Sequence, residues 1–317
     1  MIEIAKVTDQ QGLARLRPEW ERLWRRDPSA TPFQSPAWLF AWWSVFGTSE
    51  PVVFTARSNG ELVGLLPLYL LREPGCRKLL PIGVGLSDYI DALCDPASIG
   101  YPDLLMAAIS DTPGWDECWL PDLALDGALV TTRAVSGLTD QIEPASPCPI
   151  LALPSDLAKL GEAVLRKTLR DLRQARARAE SVGRVSIEAV AKDGLGSAME
   201  DLFRLHELRW RGRGESGVCS DSGVRRFHRI AAREMLKEKM LRLYRLKIGG
   251  AVAAVYYGFA AKGRAYAYLG GFDPLQEHVS PGTQMIAHAI EQAIAERAAS
   301  FDFLRGGEGY KYSWGAV

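Results

Sequence analysis

The chain has 317 residues, 47% of them hydrophobic, enough to build two ordinary cores. Its 38 basic residues balance 38 acidic ones, so no chain-wide positive field gathers duplex nucleic acid. Five cysteines without a C-x-x-C and four histidines without an H-E-x-x-H predict reduced thiols and no catalytic metal. The opening MIEIAKVTDQ has no charged segment leading into an apolar one, and the weakly polar run from Gly249 to Ala261 is too short to span a bilayer. A cytoplasmic protein is expected, one that could still touch the inner-membrane surface.

In chain order, PEWERLWRR and SPAWLFAWWSVFG read as Trp-rich helices. Trp38, Trp42, Trp43 and Phe46 fall at helical spacing and are expected in a core, with a carbohydrate-stacking platform as the alternative. PVVFTARSNGELVGLLPLYLL then predicts a hairpin turning at Asn59-Gly60, because both positions accept positive φ. KLLPIGVG, YPDLLMAAIS and WDECWL follow as strand, helix and short strand. The second half repeats the order. MEDLFRLHELRWR and SGVRRFHRIAAREML are helices, and LRLYRLKIGGAVAAVYYGF is a hairpin turning at Gly249-Gly250. RAYAYLGG, GTQMIAHAIEQAIAERAA and FDFLRG are strand, helix and strand.

The prolines of IEPASPCPILALPSD divide the halves into domains 1–150 and 151–317. Next comes a helix, LAKLGEAVLRKTLRDLRQARARAESVG, with Leu165, Leu169, Leu172 and Ala179 along one face. Arg166, Arg170 and Arg173 line another, with Lys167 and Arg176 nearby. That face is either simply solvated, or it contacts an anionic acceptor, a CoA phosphate or a phospholipid surface.

Five stretches, TPFQSPAWLFAWW, LSDYIDALCDP, LRKTLRDLRQARARAESVG, VSPGTQMIAHAIEQA and FDFLRGGEGYKYSWG, resemble the CelD-like double-GNAT acyltransferases, relatives of the Fem-type peptidyltransferases. The resemblance touches both halves. It implies an α/β chain of two tandem GNAT-like units, each a mixed, mostly antiparallel sheet flanked by helices. It further implies an acyl-CoA-dependent N-acyltransferase. The acceptor would be a small-molecule or lipid-linked amine, either an amino sugar of an exopolysaccharide or a lipid or sphingoid amine. Two alternatives stand beside it: a Fem-like transferase using aminoacyl-tRNA, and a non-catalytic exopolysaccharide assembly protein that keeps the fold. The family continues past the Tyr-Lys and Trp positions with another strand, whereas this chain stops at Val317.

The resemblance places the donor site in the second domain, leaving the first on the acceptor side. VSPGTQM opens a helix whose free N–H groups suit a pyrophosphate, with Ser280 as cap and Gly282, Thr283 and Gln284 around the anion. The GNAT pattern Gln/Arg-x-x-Gly-x-Gly/Ala is met here by Val279-x-x-Gly282-x-Gln284, without the leading cation and the final small residue. In FLRGGEGYKYSW, Glu308 is the expected base, Tyr310 the acid, and Lys311 the group that holds an anion or the oxyanion. Asp91, with Asp88 around Tyr89, is the carboxylate pair expected to bind an amine or share a proton at an interdomain cleft, with turn residues that cap the next helix as the alternative. His206, Arg209, Trp210, Tyr268 and Arg305 complete the expected substrate contacts.

Overall fold

The computed structural model describes residues 2–97, 100–132, 138–212 and 214–317. The chain falls into two compact units, Met1–Ala145 and Ser146–Val317.

The first unit contains β1 (Ile2–Val7), α1 (Gln10–Arg26), α2 (Pro36–Phe46), β2 (Glu50–Ser58), β3 (Glu61–Glu73), β4 (Cys76–Pro81), β5 (Leu93–Cys94), α3 (Tyr101–Ser110) and β6 (Glu117–Cys118). Asp9 and Ser35 start α1 and α2 by accepting from the N–H groups of Gly12 and Trp38. Asn59 and Gly60 take φ of +51° and +81°, the expected hairpin turn between β2 and β3. The sheet runs β1-β2-β3-β4-β6, with β5 also pairing β3. Alternation along β2 sends Val52, Phe54 and Ala56 into one core with Tyr101, Leu105 and Ile109 of α3. Trp38, Trp42 and Trp43 are buried, so the aromatic cluster is core and not a sugar platform. The indole N–H of Trp38 is satisfied by Ser87 Oγ at 3.0 Å.

The second unit contains β7 (Ile150–Ala152), α4 (Leu160–Ala163), α5 (Arg166–Val182), β8 (Val185–Ala189), α6 (Leu195–Arg211), α7 (Ser222–Lys237), β9 (Leu241–Ile248), β10 (Ala251–Ala261), β11 (Arg264–Phe272), α8 (Pro281–Ala295), β12 (Ser300–Asp302) and α9 (Gly309–Ser313). The strand order is β7-β12-β11-β10-β9-β8, antiparallel except for β11 with β12. Leu172 and Ala179 of α5 and Met285 and Ile290 of α8 share one core with Tyr244, Leu246 and Tyr256 of the sheet. Each fully buried Leu or Ile in such a core contributes about 2 kcal/mol. The helix α6 packs on β10 and β11. Each unit is thus a mixed sheet flanked by helices, as the sequence predicts.

Two strands are shorter than expected. WDECWL pairs only over Glu117–Cys118. FDFLRG stops pairing at Asp302, whose Oδ1 accepts the N–H of Leu304 at 2.7 Å while Leu304 turns to a φ of +58°. The edge of β12 away from β11 is paired by β7, antiparallel. Ile150 and Val317 exchange both backbone hydrogen bonds there, at 3.0 and 3.1 Å.

Candidate active site

Pairing lapses on both sides of β11. Against β10, the register passes from Tyr257↔Leu269 to Phe259↔Tyr266, so Ala267 and Tyr268 together stand opposite Gly258. The extra residue makes a bulge, which bends the strand and re-aims its backbone groups. Position 258 requires glycine, because a Cβ would overlap the Tyr266 carbonyl and the Tyr256 side chain. Against β12, pairing ends at Tyr266↔Asp302 while β11 runs on to Phe272. The two parallel strands therefore part, and β11 has no paired strand on that side from Ala267 onward.

The helix α8 begins beside Phe272, the last residue of that unpaired stretch. Ser280 sits in the left-handed region and its side chain makes no cap bond, so the expected capping role is corrected. Gln284 makes the first backbone bond of the helix, to Ser280 O at 3.2 Å, which leaves the N–H groups of Gly282 and Thr283 ahead of the ladder. The side chain of Gln284 is buried and donates to Val279 O at 2.8 Å and, more weakly, to Ala175 O of α5 at 3.4 Å. It pins the loop from inside and cannot reach a ligand, a second correction. What α8 offers an anion is backbone, in a first turn that carries no acid.

The C-terminal loop is built around Lys311. Although charged, this residue is only 2% exposed. Its Nζ donates to the carbonyls of Leu304, Arg305 and Gly306, each at 2.9 Å, and pairs with Glu308 Oε2 at 2.9 Å. Three N–H bonds are all an ammonium has. Lys311 is the internal staple of the loop, and the expected contact with a substrate anion would require dismantling it. Glu308 lies across Gly306, whose φ of +117° leaves no room for a Cβ beneath the carboxylate. Partial burial raises the Glu308 pKa. The hydrogen bond from Lys311, Glu308's own N–H, and the charges of Lys311 and Arg209 outweigh that and hold it below the ordinary carboxylate range. For Tyr310 the balance goes the other way. Burial, then the Glu308 charge, raise the phenol, Arg209 opposing. At neutral pH the site holds an ionised carboxylate and a protonated phenol side by side. The Tyr310 ring packs edge-on to Phe303, centroids 6.2 Å apart, yet the residue is 46% exposed.

Arg209 acts on this loop through its charge. Its guanidinium carbon lies 5.2 Å over the Phe272 ring. A Cβ at Gly282 would touch the same ring at 3.6 Å. Arg209, Phe272 and the first turn of α8 thus lie in sequence, with the Arg209 charge felt at Glu308 and Tyr310. Sequence reading missed Phe272, for which the available signal was an aromatic closing the strand directly before the helix loop.

Other expected residues lie elsewhere. His206 is buried, and its Nε2 accepts the Trp210 indole N–H at 3.0 Å, which puts the imidazole proton on Nδ1. Burial, aided by Arg209, lowers its pKa to about 4. The two residues orient one another inside α6. Tyr268 packs against the rings of His228, Tyr257 and Phe259 at 5.6, 5.8 and 5.5 Å. Arg305 has an exposed side chain and lends its carbonyl to the Lys311 staple. In the first unit Asp91 accepts from the N–H groups of Ala92, Ala128 and Leu129 at 2.8, 2.5 and 2.9 Å. Burial pushes it up to about 6 against those three bonds. Its oxygens anchor a loop, which corrects the amine-binding role expected of them. Asp88 is half-buried, and Tyr89 packs 6.4 Å from Phe33.

Among the described residues no group of three or more His, Cys, Asp or Glu is placed to hold a metal ion. No described helix is long and apolar enough to cross a membrane.

Residues 166–312 match the family model described as "Acetyltransferase (GNAT) domain". No curated protein matches the chain in sequence. Among solved structures, FemX superposes with a TM-score of 0.68 at 13% identity, over 99% of this chain and 94% of its own. L-PGS from Bacillus licheniformis superposes with a TM-score of 0.51 at 13% identity, over 87% of this chain and 77% of its own. Residues 166–312 are thus similar to an acetyltransferase (GNAT) domain, in a chain that shares its fold with FemX.

Proposed function

We propose that the chain is an acyl-CoA-dependent N-acyltransferase with its donor site in the second unit, and that the first unit serves acceptor recognition. The carrying observation is the junction of two features: the open stretch of β11 beyond its bulge, and the acid-free first turn of α8. The GNAT domain over 166–312 supports an acyl thioester as donor. Gly282 and Thr283 N–H would hold its pyrophosphate, and the extended arm would lie along β11 in place of a strand. The donor supplies the acyl group as a thioester.

The residues of the chain do the rest. The N–H groups of β11 re-aimed by the bulge donate to the carbonyl oxygen as negative charge builds on it. The acceptor nitrogen forms the new C–N bond while the C–S bond breaks, and the departing sulfur takes the proton held at Tyr310 Oη. Glu308, kept ionised by Lys311 and Arg209, takes the amine proton through a water. The acceptor is an amino sugar of an exopolysaccharide or a lipid amine.

Calorimetric titration of acetyl-CoA and longer acyl-CoAs into the wild type and Gly282→Asp tests the reading. A carboxylate at a helix start suits the helix itself, and a side chain at 282 meets only the Phe272 ring at 3.6 Å, so the variant keeps its fold. Facing a pyrophosphate, the same charge lowers affinity at least about tenfold. No CoA binding alongside tight tRNA binding would replace this reading with an aminoacyl-tRNA-dependent transferase. Binding of neither would leave a non-catalytic assembly protein.

A further inference from the structure

The outward face of α5 serves nothing in the site described above. Thr168, Leu172, Ala175 and Ala179 face the core, so Arg166, Arg170 and Arg173 point the opposite way, with Lys167 on the flank. Arg170 meets only its neighbour Asp171, at 3.3 Å between exposed side chains. Arg166, Lys167 and Arg173 have no ion-pair partner among the described residues. From Leu165 to Gln174 four cations face one carboxylate, in a chain whose formal net charge is zero.

Exposed apolar side chains precede this charge in the chain. Leu165, immediately before α5, is 55% exposed, and Leu157, just ahead of α4, is 48% exposed. Phosphate recognition on RNA has no use for exposed leucines at this position. A bilayer interface uses both kinds of group: cations for the anionic headgroups and leucines for the acyl boundary.

We infer that the start of α5, with Leu165, Arg166, Lys167, Arg170 and Arg173, docks the enzyme on an anionic lipid bilayer. Docking through these residues uses none of the groups assigned to the donor or to the chemistry, so it needs no acyl donor and stands whether or not CoA binds.

Co-sedimentation of the full chain with vesicles tests it, comparing phosphatidylcholine alone with phosphatidylcholine mixed with phosphatidylglycerol. The protein pellets with the anionic vesicles, remains in solution with the neutral ones, and is released by added salt. Each cation near such a surface strengthens binding roughly fivefold, so Arg166→Glu with Arg173→Glu weakens it by at least about 25-fold. Leu165→Ser weakens it by a few-fold while leaving the salt dependence intact. Thermal melts of each variant confirm that the fold is kept, and Leu157→Ser offers a second apolar probe if Leu165→Ser unfolds. Equal binding to neutral and anionic vesicles, or to neither, overturns the proposal. So does an RNA oligonucleotide that binds in the arginine-dependent way while both leucine variants bind vesicles like wild type, which would make the face a nucleic-acid surface.

Discussion

In the first unit the chain that leaves β4 folds straight back: β5 returns to pair with β3, and Asp91 ties down Ala128 and Leu129 beside it. In the second unit the corresponding strand, β11, carries a bulge, parts from β12 after three pairs and leads into α8 without returning. The helices differ in the same sense. The shorter α3 carries Asp103 in its first turn, whereas the longer α8 carries no acid there. A carboxylate at that position repels a second anion, and an empty one invites it. One order of elements thus yields a closed unit and an open one. What separates them is a few residues at the strand-to-helix junction.

The largest expected effect falls on turnover. Glu308→Gln and Tyr310→Phe lower kcat by roughly 10²–10⁴-fold, with acyl-CoA affinity near wild type. The comparison breaks if Asp91→Asn in the closed unit costs turnover that much while the two loop variants are silent. The expected result for Asp91→Asn is a stability loss of about 1–2 kcal/mol, since an amide oxygen cannot accept all three N–H groups, with kcat essentially unchanged.

Next comes Lys311→Met, which strands three carbonyls and releases Glu308. The cost is about 3 kcal/mol, read as a lowered unfolding midpoint in denaturant. Arg209→Ala in the same titration is milder and also raises the Glu308 pKa toward its ordinary value, because one of the charges holding it down is removed.

The smallest effect is a pH signature that distinguishes the units. All four histidines lie in the second. Burial lowers His206 to about 4 and His228 to about 3, from an ordinary value of 6.5. The unfolded chain therefore takes up protons first as pH falls below 6.5, and the second unit loses up to about 1.4 kcal/mol per pH unit for each histidine. Asp91 acts with the opposite sign. Raised to about 6, it binds a proton in the folded state first, so its contribution to the first unit grows as pH falls from about 6 toward 3.8. Acidification should separate two melting transitions, with the second unit failing first. A single transition at every pH, or failure of the first unit first, would contradict this assignment.

The repeated order of elements, both hairpin turns and the division of helices between faces were legible because each rests on local chemistry: positive-φ dipeptides, alternation and helical spacing. The site was legible only in part. Glu308, Tyr310 and Arg209 are candidates that the sequence offered, through a glycine-rich loop after a strand and a basic helix end. Lys311 and Gln284 were misread because a motif shows a charge or an amide without showing which way it points, and both turn inward. The bulge at Ala267–Tyr268 depends on a two-against-one register with Gly258, which no single strand's sequence reveals. Phe272 matters through an arginine more than sixty residues away in sequence.

Amide hydrogen exchange with and without a saturating acyl-CoA tests the contrast between the units most directly. Protection should appear at the backbone of Ala267–Phe272 and at Gly282 and Thr283, with β4, β5 and α3 unchanged. Protection confined to residues 82–103 of the first unit, or none at all under saturation, would contradict the assignment of the donor site to the open unit.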